Sequence, residues 1–225
     1  MTLRGLFVTG TDTGVGKTEV SCAVISSARA AGLDVGAMKP AESGAADGEP
    51  GDASRLARAA GGGDPAELVC PYRFGPPLAP AVAARLAGVE ISLARLVDAA
   101  RTLSSRHAAL LVEGAGGLLV PLTPSATYAD LAVALGLPVL LVARAGLGTV
   151  NHTALTVEAL RARGLAIAGI VLNRTAAEDD PSVPHNAAEI ARLTGLTPLV
   201  TLPFVRDIAG REAILRSAVA GKVQF

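Results

Sequence analysis

Apolar runs of four to six residues recur along the chain at Leu6–Thr9, Val35–Met38, Ala108–Val112, Val139–Ala143, Ile167–Leu172 and Leu199–Leu202. They are continuously apolar and do not alternate with polar residues, so they read as parallel strands buried on both faces. The longer stretches between them have helical periodicity and ordinary boundary signals. One helix starts at Lys17 after a glycine loop and stops at Gly32, another spans Ala53–Ala60, and a third runs from about Thr149 to Gly164. Strands alternating with helices predict an α/β fold: a doubly wound, mainly parallel sheet with helices on both faces and right-handed crossovers. Two stretches interrupt the alternation, Ala41–Gly51 and Gly61–Pro80. Both are rich in Gly, Pro and Asp and read as surface loops at an active site or a sheet edge.

A chain of 225 residues, half of them apolar and without repeats or charge blocks, predicts one domain covering residues 1–225 around one sizeable core. Lys plus Arg and Asp plus Glu both total 20. That balance lacks the basic excess needed to bind nucleic acid or an anionic membrane, so small-molecule partners are expected. Cys22 and Cys70 are too few for a disulfide framework, and the apolar run near the N-terminus is too short for a secretion signal or a membrane span. A cytoplasmic protein is expected.

Candidate chemistry begins where the first strand ends. Leu6–Thr9 leads into Gly10-Thr11-Asp12-Thr13-Gly14-Val15-Gly16-Lys17-Thr18 and then into a helical pattern. Strand, glycine loop and helix in that order make a phosphate-binding loop: glycines let backbone N–H groups face phosphate oxygens, and the helix N-terminus adds partial positive charge. Lys17 would reach the β- and γ-phosphates, and Thr18 would ligate Mg²⁺. Five residues separate Gly10 from Gly16, one more than in the common form.

In open parallel sheets, ligands bind beyond the carboxyl ends of the strands. Lys39, Glu113, Gly146-Leu147-Gly148 and Asn173 all follow strands there, on the nucleotide's edge. Glu113 opens Glu113-Gly114-Ala115-Gly116-Gly117, an acid before a run almost without side chains, which suits Mg²⁺ and a closely approaching second ligand. Asp52 reads equally as a metal ligand or as an N-cap of the helix behind it. Lys39 reads as a catalytic lysine or a solvated one, and its place between an apolar strand and Pro40 favours the first. His107 reads as structural, while His152 faces either the site or the core.

These residues resemble the dethiobiotin synthetase family. The resemblance is carried by Gly10–Thr18, Lys39-Pro40-Ala41-Glu42-Ser43-Gly44, Asp52 at a helix start, Val112–Gly117, and Leu147-Gly148-Thr149-Val150-Asn151-His152; Pro77-Leu78-Ala79-Pro80 and Asn173 add to it. It implies a P-loop ligase that uses ATP and Mg²⁺ to join CO₂ to 7,8-diaminopelargonate. By the same resemblance Lys17 and Lys39 flank the reacting groups, and Thr18, Asp52 and Glu113 hold the metal. Gly14, Val15, Gly16, Gly114, Ala115 and Gly116 surround the nucleotide, with Asn173, Arg174, Pro203, Phe204 and Val205 at the adenine. Thr13, Ser43, Gly117, Gly148, Thr149 and Asn151 are implied to contact the substrate, the last three from the neighbouring subunit of a homodimer. The stretch His185–Glu189 has no tyrosine of the kind some members place against the substrate tail.

Two other classes share such a fold. A partitioning-type regulatory ATPase carries a signature lysine in the glycine loop where this chain has Asp12. An amidoligase-like domain would use ATP with another acceptor.

Overall fold

The predicted strands form because residues apolar on both sides lose most by staying in water. The computed structural model describes residues 3–44 and 51–225. In chain order the strands are β1 (Gly5–Gly10), β2 (Val35–Met38), β3 (Ala41–Ser43), β4 (Tyr72–Phe74), β5 (Ala109–Gly117), β6 (Val139–Arg144), β7 (Ile167–Asn173) and β8 (Val200–Leu202). The helices are α1 (Lys17–Ala30), α2 (Asp52–Ala59), α3 (Ala66–Val69), α4 (Pro80–Leu86), α5 (Leu93–Arg106), α6 (Tyr128–Leu135), α7 (Thr149–Ala162), α8 (Val183–Thr194) and α9 (Ile208–Val219).

Among the described residues, six strands pair in the order β2-β5-β1-β6-β7-β8, every pair parallel. From β1 the chain goes out to the edge strand β2, returns to β5 beside β1, and then crosses β1 to β6, β7 and β8 on the other side. Its direction of winding therefore reverses at β1, and the crevice beyond that strand is where a ligand is expected. Alternate residues of β1 serve opposite faces: Leu6 and Val8 pack with α1, α2 and α9, whereas Phe7 packs with α5 and α6. α7 and α8 cover β6 and β7 through Leu141, Ala143, Ile170 and Leu172. Helices thus lie on both faces, as the pattern predicts.

Three expectations are corrected. Residues 41–51 and 61–80 are not plain loops: β3 and β4 pair in parallel as a separate two-stranded sheet, and α3 lies between them in sequence. Elements of three or four residues are too short to show a period. The expected loop also includes residues 45–50, which lie outside the described residues. Second, β5 continues through Gly117, so Glu113 lies inside a strand; the side-chain-poor run still pairs with β1, with Gly117 opposite Gly10 after a register shift. Third, Asp52 is the first residue of α2 and Gly51 its N-cap, with no side-chain capping bond.

At α6 the chain caps itself. The Asp130 carboxylate accepts the Thr127 backbone N–H and hydroxyl, each at 2.7 Å, closing a capping box. The Thr127 N–H foremost, then its hydroxyl, hold the Asp130 carboxyl below the usual carboxylate range. A folded-state value below the unfolded one stabilises above the unfolded pKa, about 3.9, and that contribution disappears as pH falls through the folded value. Asp130→Ala is therefore expected to lose about 0.5 kcal/mol at neutral pH, the low end for a cap because the carboxylate is exposed. In denaturant titrations the gap between variant and parent should close in acid; a gap that persists there would contradict the assignment.

Candidate active site

β1 delivers the chain to the sheet edge, where the Thr11 N–H donates to Val142 O and the Thr13 N–H to Asp12 Oδ1 at 2.7 Å. Gly14 and Gly16 both take positive φ, at 74° and 87°, and Gly16 is the N-cap of α1. A side chain at Gly16 would also collide with the Asn173 amide, whose Nδ2 donates to Val15 O at 3.0 Å. Asn173, at the end of β7, thus ties the loop down. Lys17 Nζ donates to Asp12 O at 3.0 Å. Burial, and next the positive charge of Lys39, lower the Lys17 ammonium to about 8. An anion such as phosphate would relieve that penalty.

Lys39 leaves the end of β2 and is 3% exposed. Its Nζ donates to Glu113 Oε1 at 2.6 Å, to Asp52 Oδ2 at 2.9 Å and to Gly114 O at 3.3 Å. Burial disfavours this ammonium, but the Glu113 and Asp52 carboxylates outweigh it and hold it above its ordinary value. Burial likewise disfavours the Asp52 carboxylate, yet its pKa is lowered, chiefly by Lys39. Lys39 is therefore no solvated lysine. The Thr18 hydroxyl donates to Glu113 Oε1 at 2.9 Å, while Glu113 Oε2 is buried with no hydrogen-bond partner among the described residues. An orphaned carboxylate oxygen beside a hydroxyl and a second carboxylate fits a divalent cation that takes its other ligands from phosphate and water.

A cavity of about 520 Å³ opens over Lys17, Thr18, Lys39 and Asp52, while the wholly buried Glu113 lies behind its lining. Thr13, Lys17, Thr18, Lys39, Ser43 and Asp52 give it a polar side; Pro77, Leu78, Ala79, Pro80 and Val120 give it an apolar wall. Gly14, Gly16, Ala115 and Gly116 also line it, as does Glu42, which lies within the Lys39–Gly44 segment but had no role assigned; Glu19 and Arg55 line it too, and they carry no motif that sequence could reveal. Ser43 Oγ donates to Leu78 O at 2.7 Å, fastening β3 to the apolar wall. A second cavity of about 230 Å³ shares Gly14, Gly16 and Glu19 and is lined by Asn173, Arg174, Thr175, Pro203, Arg211 and Leu215.

Several expected residues are placed otherwise. Phe204 and Val205 are partly buried but do not line the second cavity, and Gly117 pairs with Gly10. Gly148, Thr149 and Asn151 begin α7 outside both cavities; Thr149 is buried against Thr153 and Asn151 is exposed. Not every N–H of the turn before α7 is free, because Asp180 Oδ2 accepts the Leu147 N–H at 2.7 Å. His152 is exposed, facing neither site nor core. His107 is structural, its ring nitrogens 3.0 and 2.7 Å from carboxylate oxygens of Asp34 and Asp64. No helix among the described residues is long and apolar enough to cross a membrane.

A family model described as an AAA domain matches residues 4–212. In solved structures, a ParA family ATPase from Chlorobium tepidum TLS aligns with a TM-score of 0.57 at 12% identity, covering 96% of this chain and 91% of that one. The MinC:MinD cell division protein complex of Aquifex aeolicus aligns with a TM-score of 0.58 at 12% identity, covering 93% and 84%. Likeness at that identity shows a shared P-loop fold alone. Curated sequences are much more similar. An ATP-dependent dethiobiotin synthetase of Anaeromyxobacter dehalogenans (strain 2CP-C) is 70% identical over 223 residues, 99% of this chain and 100% of the relative. One from Bacillus cereus (strain B4264) is 41% identical over 217 residues, covering 96% and 90%. With such identity over nearly its whole length, the chain belongs to the ATP-dependent dethiobiotin synthetase family, ligases that form C–N bonds.

Proposed function

We propose that this chain converts 7,8-diaminopelargonate, CO₂ and ATP to dethiobiotin, ADP and phosphate, in the cytoplasm. The observation that carries this reading is the buried Lys39 ammonium between Glu113 and Asp52, in a cavity shared with Lys17 and Thr18. The apolar wall beside it suits the methylene chain of the diamine. One substrate amine takes up CO₂ as a carbamate, and a carbamate oxygen then attacks the γ-phosphorus as ADP leaves. The second amine attacks the carbon of the resulting anhydride, phosphate departs, and the ring closes with loss of the amine's proton. Lys17 and Lys39 align the carbamate and the γ-phosphate and offset their negative charge, the main demand of phosphoryl transfer. Thr18, Asp52 and Glu113 would hold Mg²⁺, which supplies further neutralisation of phosphate charge. Asn173, Arg174 and Pro203 form the base pocket, and Thr13 and Ser43 orient the diamine.

By the family resemblance the protein is a homodimer in which Gly148, Thr149 and Asn151, which line neither cavity of their own chain, receive the carboxylate tail of substrate held by the other subunit. Leu147 and Leu155, 78% and 56% exposed on and before α7, give that surface an apolar component.

The test is incubation with diaminopelargonate, labelled bicarbonate, Mg²⁺ and each nucleotide in turn. Labelled dethiobiotin formed with ATP supports the reading, and its absence with every nucleotide refutes it. Lys17→Ala is expected to abolish measurable turnover while leaving the unfolding curve intact, since the side chain serves ligand; near-normal turnover would remove the P-loop assignment.

Lys39→Met should lower the rate by on the order of a hundredfold or more with ATP affinity largely kept. Because it also strands the buried Glu113 charge, a stability loss of about 3–5 kcal/mol is expected in unfolding experiments. A collapse of ATP affinity in a folded variant would make Lys39 a nucleotide anchor instead.

Mixing Lys39→Met with an inactive Asn151 variant tests the shared site. Subunit exchange yields heterodimers with one site carrying both lesions and one carrying neither, so activity should reappear. A mixture that stays inactive although mass measurements show exchange would confine the whole site to one chain.

A further inference from the structure

The two-stranded sheet of β3 and β4 has only three residues per strand, yet it holds a nearly inaccessible charge. Glu42, in the middle of β3, is 4% exposed. Its register partner in β4 is Arg73, whose Nε lies 3.2 Å from Glu42 Oε2, an ion pair without hydrogen-bond geometry, so that among the described residues Oε2 is buried with no hydrogen-bond partner. The other oxygen, Oε1, accepts the Ala53 backbone N–H at 3.1 Å. Ala53 is the second residue of α2, whose N-cap, Gly51, has no side chain to offer the free N–H groups of the first turn. Any Cβ at Gly51 would collide with Glu42 Oε1, so glycine there is what lets the carboxylate approach. A carboxylate at this end also meets the positive pole of the helix.

The cap that α2 lacks locally therefore comes from another strand, with a consequence for the residue between Gly51 and Ala53. Asp52 is the kind of residue that caps helices itself. Here its Oδ2 instead accepts from Lys39 Nζ at 2.9 Å. We propose that Glu42 is a positioning residue: through Oε1, its carboxylate holds the start of α2 so that Asp52 meets Lys39 and a bound divalent cation. This rests on the reading of Asp52 as a ligand of the metal–nucleotide site. Glu42 contributes through the Ala53 N–H and need not touch nucleotide or substrate.

Manganese(II) binding in the presence of a non-hydrolysable ATP analogue, followed by electron paramagnetic resonance of the free ion, tests this without turnover. Glu42→Ala should weaken manganese binding about tenfold, the loss typical of removing a group that orients a metal ligand. Glu42→Gln, which still offers an oxygen to the Ala53 N–H, should stay within about twofold of the parent. In an Asp52→Asn background the same Glu42→Ala change should have little further effect, because residues acting through one another are not additive. An Asp52→Asn variant with parental affinity would overturn the metal reading, and this proposal with it. Weakened binding in Asp52→Asn but not in Glu42→Ala would overturn the proposal alone. So would a Gln variant as impaired as the Ala variant, or a Glu42→Ala variant whose only defects are a lower melting temperature or a raised KM for the diamine.

Discussion

A lysine ammonium cannot be buried without compensating negative charge, and Lys39 sets terms that much of the site obeys. Its Nζ meets two carboxylates and a carbonyl oxygen supplied by the middle of β5 and the start of α2. Those elements must converge within hydrogen-bond distance of the end of β2, where β5 is its neighbour in the sheet and α2 lies against α1. The pairing is unequal, because Glu113 is wholly buried and keeps one oxygen unsatisfied whereas the Asp52 side chain is 41% exposed. Glu113 is thus the acid that cannot do without a cation, and Asp52 the one free to exchange partners when a ligand arrives.

The phosphate loop answers the opposite need. Among the described residues no carboxylate lies at salt-bridge distance from the buried Lys17, whose Nζ rests on the Asp12 carbonyl oxygen, so burial lowers its proton affinity where the neighbouring lysine's is raised. One lysine is compensated within the protein and the other awaits an anion. That difference orients the site: charge supplied by ligand belongs beside Lys17, and charge supplied by protein beside Lys39. Asn173 anchors the loop by donating to Val15 O.

Helix starts are used differently across the fold. α6 closes its own capping box, α2 borrows a carboxylate from β3, and the turn before α7 takes one from Asp180. Only the first is visible as a local sequence signal, since Thr127 and Asp130 lie three residues apart on the same helix end. A borrowed cap leaves the local acid or amide free for another role, which at α2 falls to Asp52.

By itself the sequence determined the alternation of strands and helices, the P-loop and its two ends, and the grouping of Lys39, Glu113 and Asn173 along one edge. Hydrophobic runs and glycine spacing are local properties, and parallel strands place their carboxyl ends on one side. The boundaries followed less well: β5 runs on to Gly117 because glycines without side-chain signal still pair with β1. Only the tertiary structure decided that Lys39 lies between both acids, that Asp52 is not the cap of its helix, and that Glu42, Arg73, Glu19 and Arg211 border or support the site. Each of those facts is a distance between segments far apart in the chain. No period or spacing encodes such a distance; it follows from how helices pack on the sheet and from the requirement that a buried charge find its partner.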